Sequence, residues 1–404
     1  AEFMKKEMSI IVSRSYGPGR YDEDYEGRGL KYPIGFVRWT ETENLGEVMR
    51  LMAPETKHKL DVKSLITHHF DIGQAEDAFE MVLEKSEPHM GVMLTYPETI
   101  TENPKQFPAS SVTPGGCVLG VIGAGNFARA VLLPELKKMS GVALHTIATK
   151  RGASSDHAQD TFGFAHAATD EAAVLDNPDI NAVLIATRHD SHAELTARAL
   201  KAEKSVLVEK PLGLSRDEIA AVQDARETSS GFFQIGFNRR FAPLAQQASA
   251  ALSKIEGPRF MVFRVNAGTI PGDSWIQNME EGGGRIIGEM CHFVDLARSF
   301  AGGRIISVQA DAAQNTTGSA DDITALLRFE NGSLATIAYT SLGDAAFPKE
   351  RFEIFAGGSV INLDNFRNLS ITSNGSTKNH SGSGQDKGFE KSLAAFVGAV
   401  KSGG

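Results

Sequence analysis

Residues 120–128 read GVIGAGNFA, a glycine-rich stretch that joins an apolar run to a segment with helical spacing. Glycine loses more backbone entropy on folding than any other residue, so glycines here indicate a sharp turn or a close approach to a ligand. The motif G-x-G-x-x-A at 123–128 fits the dinucleotide fingerprint, against the alternative of an ordinary tight turn. The residues predicted to hold a pyrophosphate at the amino end of the helix are Gly123, Gly125, Asn126, Phe127 and Ala128.

On both sides of this motif, strand-like apolar runs alternate with helical patterns. The strand candidates are CVLGVIG, VALHTIAT, NAVLIAT and SVLVEK, and the helices between them include NFARAVLLPELKKM, SHAELTARALKA and RDEIAAVQDA. This alternation predicts crossover units and a parallel sheet buried on both faces. We therefore expect a Rossmann domain that binds NAD(P) over residues 117–237.

After residue 237 the pattern changes to strands that follow one another through short turns. The strand candidates are PRFMVFRVNAG, RIISVQADA, DITALLRFE, SLATIAYT and RFEIFAG, and a helix candidate, GEMCHFVDLARSFAG, precedes most of them. This order predicts an α/β domain over 238–404 with a large, mostly antiparallel open sheet. Residues 373–388, SNGSTKNHSGSGQDKG, are predicted to be loop-like or disordered.

The first hundred residues predict a separate α/β segment over 1–95. SIIVSRSYG is a strand candidate, and ENLGEVMRLMA and IGQAEDAFEMVLEK have the spacing of amphipathic helices. Residues 96–116 are rich in Pro, Thr and Ser with little apolar content, which is typical of a linker.

Composition limits the classes of function. A chain of 404 residues with net charge −9 shows no basic stripe, which argues against nucleic-acid binding. No apolar run approaches the roughly 18 to 20 residues of a membrane span, so no membrane role is expected. The two cysteines, Cys117 and Cys291, are far apart in sequence, which favours a reducing cytoplasm and gives no zinc ligand set.

The choice between NAD and NADP depends on the end of the second Rossmann strand. NAD sites usually carry an acidic residue about 20 positions after the glycines, where it accepts from the ribose hydroxyls. Here Thr149, Lys150 and Arg151 occupy that place. Two cations can pair with a 2′-phosphate, so NADP is slightly favoured; alternatively both are solvated loop charges and NAD binds without the acid.

Two further polar clusters follow apolar strands, at the carboxyl edge of the sheet where ligands of α/β folds bind. In IATRHDSH, residues 185–192, Thr187, Arg188 and His192 are expected near the coenzyme. His189 and His192 have no third ligand in view, so they are interpreted as a helix cap and a surface residue rather than a metal site.

The second cluster, SVLVEKPLG, places Glu209 and Lys210 at the same edge. An ammonium there can orient a substrate hydroxyl and help its proton to leave. A lysine at a strand end is otherwise an ordinary surface charge.

Taken together, the fingerprint, the segment ATRHDSHAELTARALKAEKSVLVEKPL, GFNRRF and GGGRIIGEMCHFVDLARSF resemble the glucose-fructose oxidoreductase and inositol dehydrogenase (Gfo/Idh/MocA) family over residues 117–400. The resemblance implies a Rossmann domain followed by an α/β domain whose open sheet carries the substrate site and an oligomer interface. It also implies NAD(P)-dependent oxidation or reduction of a carbinol in a sugar, inositol or nucleotide sugar.

In that family the pattern D-x-G-x-H-x-x-D follows the triple glycine, so that Asp and His face the nicotinamide and substrate. His292 and Asp295 match this pattern, whereas Gly288 stands at the position of the aspartate and Met290 at that of the glycine. Glu289 lies beside the missing aspartate, but one residue along a helix points about 100° away. The glycine at 288 either brings Glu289 into the catalytic role or leaves His292 working with Lys210 alone; the second is favoured, because a carboxylate in the first turn of a helix that begins near Gly288 already has a structural use. The alternative for His292 is an ordinary histidine of the helix core.

The sequence thus predicts an NAD(P)-dependent oxidoreductase that forms a homo-oligomer through its second sheet, with Lys210 and His292 as catalytic residues. Arginines that fork onto a diphosphate would suit a nucleotide sugar. The candidate substrate contacts are Asn238, Arg239, Arg240, Trp275, Arg285, Glu289 and Asp295. The alternative, favoured for each of the first five taken alone, is a structural role. A cofactor-binding but catalytically silent protein, a sensor or a fusion remnant, is the alternative.

The first hundred residues carry a second resemblance. KLDVKSLITHHFDIGQAEDAFEMV, followed by GVMLTYPE, is similar to the carboxyl-terminal tail of zinc-type medium-chain alcohol dehydrogenases. This order of segments is similar to bi-domain oxidoreductases in which such a dehydrogenase precedes an inositol-dehydrogenase-like half. The resemblance implies that the chain is a fragment of such a fusion.

Overall fold

The computed structural model describes residues 41–96 except 54 and 58, then 116–313, 321–382 and 384–403, with residues 22, 25, 32 and 33. The chain divides into two compact units, Ala1–Pro104 and Lys105–Gly404. The strand predicted over SIIVSRSYG and most of the predicted linker lie outside the described residues.

The described part of the first unit is a small α/β segment. Its helices and strands are α1 (Glu41–Met52), β1 (Ile66–Asp71), α2 (Ala75–Glu84) and β2 (Gly91–Thr95). β1 and β2 pair in parallel, and α2 buries Ala78 and Met81. Both helices form where the amphipathic spacing predicts them.

The second unit begins with a parallel sheet in the strand order β5-β4-β3-β6-β7-β8. Its strands are β3 (Cys117–Ile122), β4 (Val142–Ala148), β5 (His166–Ala168), β6 (Ala182–Ile185), β7 (Ser205–Val208) and β8 (Phe233–Ile235). Its helices are α3 (Leu133–Lys138, after a π-helical turn at Ala128–Leu132), α4 (Gly152–Phe162), α5 (Ala172–Leu175), α6 (His192–Lys201) and α7 (Arg216–Glu227). Buried apolar clusters cover both faces of the sheet, so the predicted Rossmann fold is confirmed.

The helix α10 (Phe389–Ser402) also packs on the Rossmann sheet. Its residues Leu393, Phe396 and Val397 belong to the same buried cluster as Leu119 and Val121 of β3. The core of the domain predicted for 117–237 therefore includes part of the segment 238–404.

The rest of the unit is built on a larger sheet in the order β10-β11-β12-β9-β13-β14-β15-β16. Its strands are β9 (Phe260–Asn266), β10 (Ile305–Ala312), β11 (Ile323–Phe329), β12 (Leu334–Thr340), β13 (Glu350–Ala356), β14 (Ser359–Asp364), β15 (Asn368–Ser373) and β16 (Ser376–Ser381). All neighbours pair antiparallel except β9 and β12. The mostly antiparallel sheet is confirmed.

Two helices cover one face of this sheet, α8 (Pro243–Leu252) and α9 (Cys291–Ala301). Phe263, Phe293 and Phe352 fill the core between them and the strands. The strands alternate buried and exposed residues, because the opposite face carries no helix in the described part of the unit.

The prediction of a loop over residues 373–388 is wrong in part, since Ser376–Ser381 form the edge strand β16. Asn374 and Gly375 both have positive φ, 49° and 70°, which is the conformation of a tight hairpin turn. The strand is polar because every residue of it is exposed, so it lacks the apolar alternation that would have predicted it.

Candidate functional site

The glycine turn sits where the chain leaves β3 and has the geometry of a dinucleotide site. Gly123 has φ of +96°, and a Cβ on it would lie 2.9 Å from the backbone nitrogen of Thr187. Only glycine fits there. A Cβ on Gly125 would meet nothing within 4 Å among the described residues, so this backbone is open to an approaching pyrophosphate. Ala128 is 1% exposed and packs in the core. The turn at Gly123, the open backbone at Gly125 and the small side chain of Ala128 therefore fit a bound dinucleotide.

The neighbouring predicted residues lie at the same edge. The ring of Phe127 is partly exposed and contacts that of Phe389 edge-on at 5.5 Å. Asn126 accepts a hydrogen bond from Arg129. Thr187 accepts one from Ser191.

Lys150 and Arg151 project from the end of β4 with exposed side chains. Thr149 donates to the carbonyl oxygen of Arg151 at 2.7 Å, which holds this loop in a turn. This loop therefore presents two cations toward solvent.

His192 has a different environment from the one predicted. Its ring is 1% exposed, and Nδ1 donates to the carbonyl oxygen of Pro211 at 2.7 Å. This bond ties α6 to the loop after β7. The interpretation of His192 as a surface residue is wrong. Its buried ring holds the loop after β7 at the carboxyl edge of the Rossmann sheet.

Lys210 follows β7 and reaches across to the second domain. Its Nζ donates to the carbonyl oxygen of Gly288 at 2.7 Å, and its peptide bond to Pro211 is cis. The carboxyl group of Glu209 lies against Gly236, where a Cβ would come within 2.7 Å of Oε1. Burial raises the pKa of Glu209 to about 7, although Lys210 opposes this shift.

His292 lies in the first turn of α9 and is 6% exposed. Its buried Nδ1 has no hydrogen-bond partner among the described residues. Burial, with the positive charges of Arg239 and Lys210, holds the pKa of His292 well below its usual value. The structure thus brings the two predicted catalytic residues into one electrostatic environment, with a neutral imidazole beside an ammonium.

Glu289 is anchored by three donors. Its carboxylate accepts from Tyr339 at 2.6 Å, from Arg285 at 3.0 Å, and from Lys349. Burial alone would raise the pKa of Glu289, but Lys349, Tyr339 and Arg285 outweigh it and lower the pKa to about 2. The helix begins earlier than Gly288, with a π-helical turn at Ile286–Met290. A carboxylate bound in this way is ionised near neutral pH and is already engaged by three donors.

The polar residues of GFNRRF are engaged within the protein. Arg239 forms a buried ion pair with Glu350 at 2.8 Å, and Lys387 binds the same carboxylate at 3.0 Å. Arg240 pairs with Asp295, whose pKa is raised by burial despite this arginine. A substrate contact by Arg239 would require the buried pair to open.

Asn238 donates from Nδ2 to the carbonyl oxygen of Lys387 at 2.9 Å. It is 2% exposed, and its Oδ1 has no partner among the described residues.

Trp275 and Arg285 belong to the segment between β9 and α9. Trp275 lies between the guanidinium of Arg188, 5.5 Å from its ring, and the ring of His189 at 4.8 Å. Arg188 also pairs with Glu281. Arg285 is buried, donates to the carbonyl oxygens of Gly268 and Ala267, and lies over the Tyr339 ring.

Sequence reasoning missed several residues of the site. Four of them come from distant strands and loops that no local pattern marks: Tyr339, Lys349, Glu350 and Lys387. The fifth, His189, lies in the polar cluster after β6 but was interpreted there without a role in the site. Each is placed by tertiary packing alone. Their one shared signal is a position at a strand end or in a loop beside one.

Neither a metal centre nor a membrane span is found in the described ranges. No group of three or more His, Cys, Asp or Glu side chains there could hold a metal ion. No helix in the same ranges is long and apolar enough to cross a bilayer.

A Rossmann turn shaped for a dinucleotide, a lysine at the same sheet edge and a buried neutral histidine from a helix of the second domain define a nicotinamide-dependent oxidoreductase of two domains. Residues 118–237 match the family profile described as "Oxidoreductase family, NAD-binding Rossmann fold", and residues 257–358 match the "GFO/IDH/MocA C-terminal domain". The chain belongs to the Gfo/Idh/MocA family of oxidoreductases. The silent alternative is not favoured.

Relatives of known activity are similar to the same part of the chain. Myo-inositol 2-dehydrogenase of Thermotoga maritima is 25% identical over 259 residues, which is 63% of this chain and 77% of that protein. Levoglucosan dehydrogenase of Pseudarthrobacter phenanthrenivorans is 26% identical over 246 residues, 52% of this chain and 62% of that protein. The resemblance of the first hundred residues to zinc-type dehydrogenases stays a prediction.

Solved structures show the same fold. Levoglucosan dehydrogenase in complex with NADH and levoglucosan superimposes with a TM-score of 0.64 at 22% identity, covering 72% of this chain and 91% of that one. A 3-ketoreductase from Actinomadura kijaniata in complex with NADP and TDP-benzene gives a TM-score of 0.61 at 20% identity, covering 71% and 90%.

Proposed function

We propose that the protein interconverts a ring carbinol and the corresponding ketone of a sugar, inositol or nucleotide sugar, with NAD(P) as hydride carrier. The observation that carries the proposal is the placement of Lys210 close enough to His292 for its positive charge to lower the pKa of that imidazole. The first is bound to the Gly288 carbonyl, and the second has a buried neutral nitrogen without a partner among the described residues.

The nicotinamide ring, when bound, supplies the hydride acceptor or donor. Gly123, Gly125 and the following helix would hold its pyrophosphate. In the oxidation direction the substrate loses a hydride from carbon and a proton from its hydroxyl group. Lys210 orients the hydroxyl oxygen by donating a hydrogen bond, and Nδ1 of His292 accepts the proton. Burial and the neighbouring cations keep His292 neutral, so in its Nε2–H tautomer the ring carries no proton at Nδ1 before the transfer.

The substrate class follows from the relatives. Because two of them are dehydrogenases of myo-inositol and levoglucosan, we infer a polyhydroxylated ring as the substrate here. Trp275, partly exposed between Arg188 and His189, offers an apolar face for such a ring. NADP is favoured over NAD by Lys150 and Arg151. A cytoplasmic location is also part of the proposal.

The test is turnover on a panel of myo-inositol, levoglucosan and a uridine-diphosphate sugar, each with NAD⁺ and with NADP⁺, followed by nicotinamide absorbance. Lys210→Ala is expected to lower turnover by about two to four orders of magnitude, the typical worth of a positioned proton-transfer group. Coenzyme affinity, measured by fluorescence quenching, should stay within severalfold. Lys391→Ala, an exposed lysine on α10, is the control and should behave as the wild type. Unchanged turnover in Lys210→Ala would remove this lysine from the mechanism.

A further inference from the structure

The carbonyl group that binds Lys210 belongs to a glycine whose side-chain space is already occupied. A Cβ on Gly288 would lie 2.9 Å from Cε1 and 3.4 Å from Nδ1 of His189. Gly288 lies in a helical turn and is absent from the described glycines with positive φ, so the backbone conformation does not demand glycine. The position is restricted by the imidazole of a residue almost a hundred positions earlier in the chain.

His189 is itself fixed on several sides. It is 6% exposed at the carboxyl end of β6, and its Nδ1 donates to the carbonyl oxygen of Gly282 at 2.7 Å. Its ring packs edge-on against Trp275, with centroids 4.8 Å apart. The next residue, Asp190, donates from its backbone to the carbonyl oxygen of Glu281 at 3.1 Å. Residues 189 and 190, just before α6, therefore bind the backbone of the glycine-rich segment that leads into α9.

We infer that His189 is a positioning residue for Lys210: its ring fills the side-chain space of position 288 and holds, through Gly282, the segment whose Gly288 carbonyl binds the ammonium. The inference rests on the proposed role of Lys210. The glycine at the position of the family's aspartate is consistent with this inference, because an imidazole from the Rossmann domain stands in the volume that a side chain on this helix would need. His189 and Gly288 are thus a complementary pair across the domain boundary.

The ring of His189 is neutral near pH 7, because its pKa lies well below that value. Burial, with some contribution from Lys210 and His192, lowers its pKa to about 4, although the bond to Gly282 opposes this shift. A neutral imidazole places no positive charge beside the lysine and keeps one N–H for the Gly282 carbonyl.

The test is a double-mutant cycle with His189→Ala and Gly288→Ala, measured as kcat, KM and unfolding midpoint. The assay uses the best substrate of the panel named above. The methyl group of Gly288→Ala collides with the His189 ring and moves the Gly288 carbonyl group that binds Lys210. We therefore expect kcat to fall at least about tenfold, with KM and coenzyme affinity within severalfold of the wild type. In the His189→Ala background the added methyl group has room, and the same substitution should change kcat by less than about twofold. Gly398→Ala, in α10 where a Cβ meets nothing within 4 Å among the described residues, is the matched control and should leave kcat unchanged.

Equal losses of kcat from Gly288→Ala in both backgrounds would overturn the inference. So would a cycle in which only the unfolding midpoint is coupled, since that would make the contact purely structural. If Lys210→Ala keeps full turnover, the proposed role of Lys210 fails and this inference fails with it; if no substrate of the panel is turned over by the wild type, the proposed function fails, and the emission of Trp275 still tests the contact.

A second arm needs no substrate. In a Trp39→Phe background the remaining tryptophan, Trp275, reports on the His189 ring it contacts. Gly288→Ala should change the intensity or position of its emission when His189 is present and leave it unaltered in His189→Ala. Identical emission with and without the methyl group in the His189 background would contradict the predicted collision.

Discussion

His292 has surroundings that select the neutral form of its ring, and its Nδ1 makes no hydrogen bond within the described chain. A substrate that reaches this nitrogen would therefore have no internal hydrogen bond to displace within the described chain. His292→Asn should lower turnover at least about tenfold, near the lower reach of general acid–base effects, with little change in the free energy of unfolding. Turnover and urea denaturation measured on the same preparations test this.

Glu289 provides the opposite case. Glu289→Gln should keep turnover within severalfold, because the carboxylate is bound by Arg285, Tyr339 and Lys349 and is not free for proton transfer. Comparable losses of turnover in His292→Asn and Glu289→Gln would contradict the assignment of both residues.

The lowered pKa of Glu289 also predicts a dependence of stability on pH. A carboxyl group whose pKa falls from 4.5 to about 2 on folding stabilises the protein above pH 4.5 and loses that effect as the pH drops toward 2. The full effect is on the order of 3 kcal/mol. Urea midpoints of the wild type should therefore fall more steeply than those of Glu289→Gln across this window.

Lys150 and Arg151 are predicted to set the preference for NADP. Each charge-assisted hydrogen bond to a 2′-phosphate contributes about 1.5–3 kcal/mol, or roughly tenfold or more in affinity. Lys150→Ala/Arg151→Ala should therefore abolish the preference and leave NAD(H) binding within severalfold, as measured by calorimetry. Lys138→Ala/Lys201→Ala removes the same charge from the same domain and should have no such effect. Equal or tighter binding of NAD(H) by the unmodified chain would refute the prediction.

Among the elements, β13 carries the buried carboxylate that joins three segments. Glu350 is fully buried, and Arg239 and Lys387 together lower its pKa against the effect of burial. Glu350→Gln leaves both cations without their counter-charge, and breaking a buried pair in this way costs about 3–5 kcal/mol. Glu330→Gln, which removes the partner of the exposed Arg304, is the control and should leave the urea midpoint unchanged. A small loss for Glu350→Gln would show that Arg239 finds another partner.

The elements themselves were largely predictable, because apolar spacing reports directly on burial. The strands β3, β6 and β7 are fully or almost fully buried and are continuous apolar runs in the sequence. β16 was missed for the same reason, since an edge strand with every side chain exposed carries no such spacing.

Within the site, predictability depended on how local the signal is. The glycine turn and Lys210 lie at strand ends that local patterns reveal. The contact between His189 and Gly288 joins residues far apart in sequence, and no pattern along the chain specifies which side chain fills that volume. For Arg239 a local pattern gave the wrong partner. The polar motif GFNRRF predicted a contact with substrate, whereas the side chain is paired with Glu350 of the distant strand β13.

For the whole molecule, the face of the large sheet opposite α8 and α9 is predicted to pair with a second copy of the chain. Phe260 and Phe355, neighbours on β9 and β13, are 51% and 42% exposed on that face. Apolar groups of this size on an open sheet are typical of an interface. Phe260→Glu/Phe355→Glu should therefore lower the mass measured by light scattering to that of a monomer. Leu83→Glu, an exposed leucine of the first unit, should leave it unchanged. A monomeric wild type would contradict the prediction.

The packing of α10 on β3 has a consequence for how the protein is made. A ribosome releases the strands of the parallel sheet about 150 residues before Leu393, Phe396 and Val397, a delay on the order of 10 s at ordinary rates of synthesis. During that interval the emerging chain carries an uncovered apolar strip where α10 will lie. The Rossmann core is therefore complete only after α10 has been synthesised, long after the last strand of its sheet.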